Sequence, residues 1–203
     1  AHFLHMSLPI ILGSSSKWRR GVLAQLLGLS GPEQVVAMAA DIDEKAIRHE
    51  DPTIMTVMIA KAKAAALLPK ITTPSILICS DQVIRCNGEI REKPESEAQA
   101  RQFLETYRTH PPECINGVVV YNTLTGECFE GVAIAKQHFT SVPDELINAL
   151  IKKGAIFTCA GGFTVEDMTE YCGELEGEIE SIQGMPKTLT MDLVAKAQAS
   201  QPK

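Results

Sequence analysis

Basic, acidic and small hydroxyl side chains occur together in this sequence in a way that suits phosphate chemistry. The stretch from Ile10 to Arg20 passes from an apolar strand through Ser14 and Ser16 into Lys17, Trp18, Arg19 and Arg20. Backbone N–H groups at a helix start are unpaired and partly positive, so a phosphate there meets N–H groups, hydroxyls and guanidinium groups together. Taken alone, the same residues also fit a serine-capped helix with a solvated basic turn.

Carboxylates and further cations follow along the chain. The carboxylates are Asp41, Asp43, Glu44 and Asp81, and the cations are Lys61, Lys63 and Lys93. Carboxylates can hold a hard divalent metal or accept a proton from attacking water, while cations offset phosphate charge. An aspartate after a strand is also a common turn former, and alternating lysines often form a solvated helix face. Since no His or Cys ligand spacing occurs, we expect Mg²⁺, Mn²⁺ or Co²⁺ rather than structural zinc.

The composition excludes several classes of protein. The chain has 203 residues with 19 Lys plus Arg against 25 Asp plus Glu, and its net charge of −6 argues against a nucleic-acid or membrane-surface binder. Six cysteines occur without a C-x-x-C pair, which favours a reducing cytoplasmic setting. No apolar run is long enough to span a bilayer. The G-x-x-x-x-G-K-[ST] motif of P-loop ATPases is absent too.

Periodicity and turn signals predict alternating strands and helices. Predicted strands are 8–12, 35–40, 75–79, 83–86, 89–91, 115–121 and 127–139. Predicted helices are 17–27, 52–68, 95–107, 143–154 and 186–199. The strand 75–79 is expected to present Ser80, Asp81 and Gln82 at its end. Antiparallel hairpins interrupt the crossovers, so the order predicts an α/β fold with a mixed sheet flanked by helices.

The chain resembles a known family, the Maf (septum-formation-inhibitor-like) nucleotide pyrophosphatases. Seven short motifs carry the resemblance, in the family's order across most of the chain. They are Ser14-x-Ser16 with Arg19-Arg20, Asp43-Glu44, Lys63 within 60–64, Ser80-Asp81-Gln82, Lys93-Pro94, 159–163 and Gly184-Met185-Pro186. The resemblance implies an elongated fold of two lobes with a cleft, and hydrolysis of a nucleoside triphosphate between its α and β phosphates.

The resemblance also implies roles for individual residues. Asp81 matches the proposed catalytic base, although a metal-ligand role stays open; Lys63, Lys93 and Arg20 match phosphate-contacting positions. Ser14, Ser16 and Arg19 are expected to bind substrate as well. Asp43, Glu44 and Asp81 are the expected metal ligands.

The resemblance also implies that three positions set base choice, and these are Trp18, Gln82 and Glu166 in this sequence. They resemble the branch that prefers 7-methylguanosine triphosphate. A cationic N7-methylguanine stacked on indole gains about 0.5 to 2 kcal/mol of cation–π energy. A carboxylate such as Glu166 can accept from guanine N1–H and N2–H. The alternative for Trp18 is a place in the core beneath the first helix.

The sequence departs from the family pattern at three places and leaves other functions open. Lys17 replaces a usual proline, Cys79 a glycine and Glu92 a glycine. The alternatives are a broader house-cleaning enzyme of the inosine-triphosphatase type and a non-catalytic nucleotide-binding regulator of division. Residues 1–6 are expected to lie outside the folded domain, either as a disordered N-terminus or as residues up to a native start at Met6, and 7–203 to form a single domain. The family resemblance suggests a homodimer.

Overall fold

The computed structural model describes residues 7–200, so the expectation for residues 1–6 lies outside the described part. The strands are β1 (Ile10–Leu12), β2 (Val36–Ala37), β3 (Ile76–Cys86), β4 (Glu89–Arg91), β5 (Glu113–Asn122), β6 (Cys128–Phe139) and β7 (Cys172–Glu176). The α-helices are α1 (Lys17–Leu26), α2 (Pro52–Leu67), α3 (Glu97–Thr106), α4 (Asp144–Lys153), α5 (Ile179–Ile182) and α6 (Lys187–Ala199).

The described strands form one mixed sheet, which confirms the predicted fold class. Its order is β2-β1-β3-β5-β6-β7, with β4 also paired to β3. The β1 pairings are parallel and the others are antiparallel. A parallel start followed by hairpins is what the predicted order of elements required.

The long central strand β3 has a gap along one edge. On one side, β5 pairs with it continuously from Ile76 to Arg85. On the other side, β1 pairs with 76–78 and β4 with 84–86. The backbone of 79–83 therefore has a neighbouring strand on one side only, and the gap leaves room for a cleft.

The hydrophobic core is divided between the two ends of β3. At one end, α1 and α6 cover one face and α2 covers the other, burying Leu23 and Leu193 on the first face and Leu67 on the second. At the other end, a separate cluster packs around Tyr107 with residues of α3 and α4. Because β3 and β5 contribute to both ends, they connect the two halves rigidly.

Two predictions about strands were wrong. Ser80, Asp81 and Gln82 do not end a strand; they lie in the middle of β3, with Asp81 opposite Gly117 of β5. Polar residues are tolerated there because the open edge faces the cleft. The strand predicted over 35–40 is only two residues long, at 36–37. The edge strand β7 was not predicted, since its sequence Cys-Gly-Glu-Leu-Glu has little apolar content.

No helix within residues 7–200 is long and apolar enough to cross a bilayer. All six cysteines are free thiols.

Candidate active site

A cleft of about 790 Å³ lies at the open edge of β3 and is lined by residues from both halves of the molecule. The first half contributes the loop before α1, the start of α1 and Lys63 of α2. The second half contributes the segments 92–95, 155–166 and 182–183. Its volume lies in the range of small-molecule binding sites, about 300–1,000 Å³.

A buried lysine joins two carboxylates at the floor of the cleft. Lys63 Nζ lies 2.9 Å from Asp81 Oδ1 and 3.2 Å from Glu44 Oε1. It also donates to the Ser80 carbonyl at 3.3 Å. Lys63 and Asp81 are each only 6% exposed. Burial makes such charge-assisted contacts stronger than they would be on the surface.

A close approach between α2 and the sheet makes this contact possible. Gly117 is the cross-strand neighbour of Asp81 on the face covered by α2. A Cβ at Gly117 would lie 2.5 Å from the carbonyl carbon of Thr56. Any side chain at this position would therefore push α2 outward and draw Lys63 away from Asp81.

The loop before α1 has the local geometry that the predicted phosphate site requires. Ser14 Oγ accepts from the Ser16 N–H at 3.1 Å, and Ser16 Oγ caps the helix by accepting from the Arg19 N–H at 3.4 Å. The N–H groups of the first helical turn, at Lys17 and Trp18, are the ones that a helix leaves without an internal partner. Both serines and both of these residues line the cleft.

The two adjacent arginines of α1 point in different directions. Arg19 lines the cleft, donating from Nη1 to the Ser80 carbonyl and from Nε to the Gly184 carbonyl, each at 3.0 Å. Burial lowers the pKa of the Arg19 guanidinium, while Asp81 and Glu44 oppose this shift. Arg20 instead donates to the carbonyls of Val35 and Glu33 and does not line the cleft. The phosphate-contacting role predicted for Arg20 does not fit this geometry.

The predicted metal ligands come together only in part. Asp43 accepts from the Lys45 N–H at 3.1 Å, which caps a 3₁₀ turn, and it does not line the cleft. Glu44 and Asp81 do line it. Within residues 7–200, no group of three His, Cys, Asp or Glu side chains is arranged to hold a metal. Two carboxylates still fit Mg²⁺, which is usually bound by one or two carboxylates with substrate phosphates and water completing its shell.

The indole of Trp18 lies in the cleft wall and not in the core. Trp18 is half-buried and belongs to none of the buried clusters of the described residues. The Lys17 ammonium lies 5.0 Å from its ring centroid. Nearby, burial raises the pKa of the Cys159 thiol, and the ammonium groups of Lys17 and Lys93 partly oppose this. Lys93, another predicted site residue, lines the same cleft as Trp18.

Gln82 and Glu166, the other two residues predicted to select the base, both contact the segment 181–183. Gln82 Nε2 donates to the carbonyls of Ser181 and Ile182 at 3.0 and 3.2 Å, which leaves its Oε1 as the remaining polar atom. Glu166 Oε1 accepts from Gln183 Nε2 at 2.8 Å. All of the predicted site residues except Arg20 and Asp43 thus line one cleft.

Four residues in or beside this site were missed by the sequence analysis. Lys45 lines the cleft and pairs with Glu95, which also lines it. Gln183 contacts Glu166, and Asn116 donates to the Ser181 carbonyl at 2.9 Å. Only Gln183 had a signal in the sequence, since it directly precedes the Gly184-Met185-Pro186 motif.

Comparison with known proteins agrees with the resemblance to the Maf family. A family model described as Maf-like protein matches residues 9–197. The chain is 50% identical over 197 residues to a 7-methyl-GTP pyrophosphatase of Dictyostelium discoideum, covering 94% of this chain and 98% of that protein. It is 31% identical to a 7-methyl-GTP pyrophosphatase of Idiomarina loihiensis, covering 93% and 94% of the two chains. It is 30% identical to a dTTP/UTP pyrophosphatase of Pyrococcus furiosus, covering 91% and 93%.

Proposed function

Because this chain belongs to the family of Maf-like proteins, we propose that it is a nucleoside triphosphate pyrophosphatase whose preferred substrate is 7-methylguanosine triphosphate. It hydrolyses the bond between the α and β phosphates and releases the nucleoside monophosphate and pyrophosphate. The relatives named for this activity span almost the whole chain.

The observation that carries the proposal is the contact of Lys63 with Asp81 and Glu44 at the cleft floor. This cluster lies in the same cleft as the serine-rich start of α1 and the Trp18 indole. One cleft therefore contains a carboxylate for proton transfer, a seat for phosphates and an aromatic surface for a base. Substrates that need all three are nucleotides.

Asp81 is the general base in this proposal. Its Oδ1 is held by Lys63, so the second carboxylate oxygen is available to take a proton from the attacking water. Lys63, Arg19 and Lys93 then stabilise the charge that builds on the departing pyrophosphate. Glu44 holds the Lys63 ammonium from the other side.

The charges of the cleft favour a divalent cation as part of the site. Among the described lining residues, five cations face five carboxylates: Lys17, Arg19, Lys45, Lys63 and Lys93 against Glu44, Asp81, Glu92, Glu95 and Glu166. The cleft therefore has no excess positive charge to balance a triphosphate. Mg²⁺, Mn²⁺ or Co²⁺ held by Glu44 and the substrate phosphates would offset that charge and polarise the phosphoryl oxygens, which leaves the second Asp81 oxygen for the proton.

Base choice rests on Trp18. An indole in the cleft wall gives a cationic N7-methylguanine a surface with about 0.5 to 2 kcal/mol of cation–π energy beyond ordinary stacking. Glu166 supplies a carboxylate for the N1–H and N2–H groups of guanine.

The test is a panel of nucleoside triphosphates incubated with each cation, with pyrophosphate and orthophosphate measured separately. The panel contains 7-methylguanosine, guanosine, inosine, adenosine, uridine and thymidine triphosphates. We expect pyrophosphate from 7-methylguanosine triphosphate at the highest kcat/KM. Orthophosphate without pyrophosphate would contradict cleavage between the α and β phosphates, and a maximum with inosine triphosphate would favour the broader house-cleaning function.

A variant of the indole tests base choice separately. Trp18→Ala should reduce the preference for 7-methylguanosine over guanosine triphosphate by about 2- to 30-fold, the equivalent of the cation–π range. An unchanged ratio would mean that the indole does not stack on the base.

We also propose a cytoplasmic homodimer, as the family resemblance and the unpaired thiols suggest. Ile54 and Met58 expose apolar side chains on the outer face of α2, which is a surface that a second copy can cover. Light scattering coupled to size exclusion measures the mass directly, and a monomer at micromolar concentration would contradict the dimer.

A further inference from the structure

The base end of the cleft contains a second side chain suited to reading guanine. Gln183 follows α5, and its Nε2 donates to Glu166 Oε1 at 2.8 Å. Both residues line the cleft together with Trp18. Their contact joins residues 164–171 to the segment 179–183, which contains α5 (the α5 segment). These two segments form separate walls of the site.

Both partners of this contact are anchored by their own neighbours. The segment that carries Gln183 is fixed to the sheet because Gln82 and Asn116 both donate to the Ser181 carbonyl. Next to Glu166, the carboxylate of Asp167 pairs with Lys153 and accepts from Thr164 Oγ1 at 3.0 Å. The segments that carry the pair are therefore held in place, and the Gln183–Glu166 contact forms without a nucleotide.

The chemistry of the pair is set by its contact. A carboxylate only accepts, so the Gln183 group that faces it must be the NH₂, which has a second hydrogen to donate. Read in order, the pair offers a donor on Gln183, then an acceptor on Glu166 Oε1, then an acceptor on Oε2. The Watson–Crick edge of guanine offers the complementary order, with O6 as acceptor and N1–H and N2–H as donors.

We propose that Gln183 is a specificity-determining residue that donates to the O6 atom of guanine while Glu166 accepts from N1–H and N2–H. This inference rests on the proposed function and adds the recognition of a 6-oxo group to it. A 6-amino purine such as adenine would place a donor against the Gln183 donor. Adenosine triphosphate is rejected at this position for that reason.

The test compares substrates that differ at one atom of the base edge. Guanosine triphosphate and its 6-thio analogue differ only at O6, since sulfur is a weak acceptor. Guanosine and inosine triphosphates differ only at the 2-amino group. We expect Gln183→Met to bring the kcat/KM ratio of guanosine to 6-thioguanosine triphosphate about 2- to 10-fold closer to one, which is the range of a single hydrogen bond. The ratio of guanosine to inosine triphosphate should stay unchanged.

The control variant is Gln102→Met, which makes the same side-chain change at an exposed position on α3. It should leave both ratios unchanged. If Gln183→Met alters the inosine ratio and not the 6-thio ratio, Gln183 only positions Glu166 and the proposal is overturned. If neither ratio changes, it is overturned as well. A wild-type protein that hydrolyses only non-guanine nucleotides would instead overturn the proposed function, and the role of Gln183 with it.

Discussion

The replacement of Asp81 by asparagine tests the proposed chemistry most directly. The substitution keeps the shape of the side chain and removes its charge and its ability to take a proton. Lys63 keeps its contact with Glu44 at 3.2 Å and with the Ser80 carbonyl at 3.3 Å. An amide oxygen at position 81 can still accept from Lys63. The fold of the cleft should therefore survive.

The effect on stability follows from the change in one hydrogen bond. Hydrogen bonds to charged groups contribute about 1.5–3 kcal/mol and neutral ones about 0.5–1.5 kcal/mol, and in Asp81→Asn the Lys63 bond keeps its charged donor and loses its charged acceptor. We expect Asp81→Asn to lower the free energy of unfolding by about 1 to 1.5 kcal/mol. For a chain of this size that is a fall in Tm of about 2–6 °C. The kcat should fall far more, by about 10²- to 10⁴-fold, because proton transfer is lost.

The measurements are kcat from pyrophosphate release and the free energy of unfolding from urea titration. Glu130→Gln is the matched control. Glu130 pairs with Lys61, which lies on α2 like Lys63, and this pair is outside the cleft. Both side chains of that pair are about half exposed, so the control should cost no more than about 1 kcal/mol and leave kcat unchanged. A kcat for Asp81→Asn within threefold of the wild type would refute the assignment of Asp81 as the base.

Three further predictions concern neighbouring residues. Lys17→Gln should increase the preference for 7-methylguanosine over guanosine triphosphate about 2- to 5-fold, because the Lys17 ammonium over the Trp18 ring competes with a cationic base; a reduced preference would contradict this. Arg20→Ala should lower Tm by several degrees and change kcat/KM less than threefold, since its guanidinium bonds loop carbonyls outside the cleft; a large loss of kcat/KM at full stability would restore its predicted phosphate role. The hydrogen bond from Lys153 lowers the pKa of Asp167. Its stabilisation is therefore complete above the unfolded-state pKa of about 3.9 and disappears as pH falls through the lower folded-state pKa. Urea titrations should show Asp167→Asn less stable than wild type at pH 7, with a difference that shrinks below about pH 4; a constant difference would contradict the linkage.

The elements that position the site were largely predictable from the sequence. Pro52 and the apolar spacing that follows it predicted the helix that carries Lys63, and the observed helix ends one residue earlier than predicted. The serine cap and basic turn predicted the start of α1, which begins at Lys17 as expected. These are local signals, since caps and periodicity depend on residues close in sequence.

The directions of individual side chains were less predictable. Arg19 and Arg20 are adjacent and chemically alike, yet a rotation of about 100° per residue sends one into the cleft and the other to the loop carbonyls. Asp43 and Glu44 separate in the same way at a 3₁₀ turn. The role of Gly117 depends on the close packing of α2, which is a contact between residues distant in sequence. No periodicity signal reports such a contact.

The alternation of side chains along β3 has a consequence for how this protein can change over evolution. Asp81 points to the α2 face of the sheet, and the next residue, Gln82, points to the opposite face, where it holds the α5 segment. The residues proposed for bond cleavage and for base selection thus lie on opposite faces of β3. If these proposed roles hold, we expect substitutions around 159–184 to alter which base is accepted without moving Asp81. A new nucleotide specificity is therefore accessible through changes on one face alone.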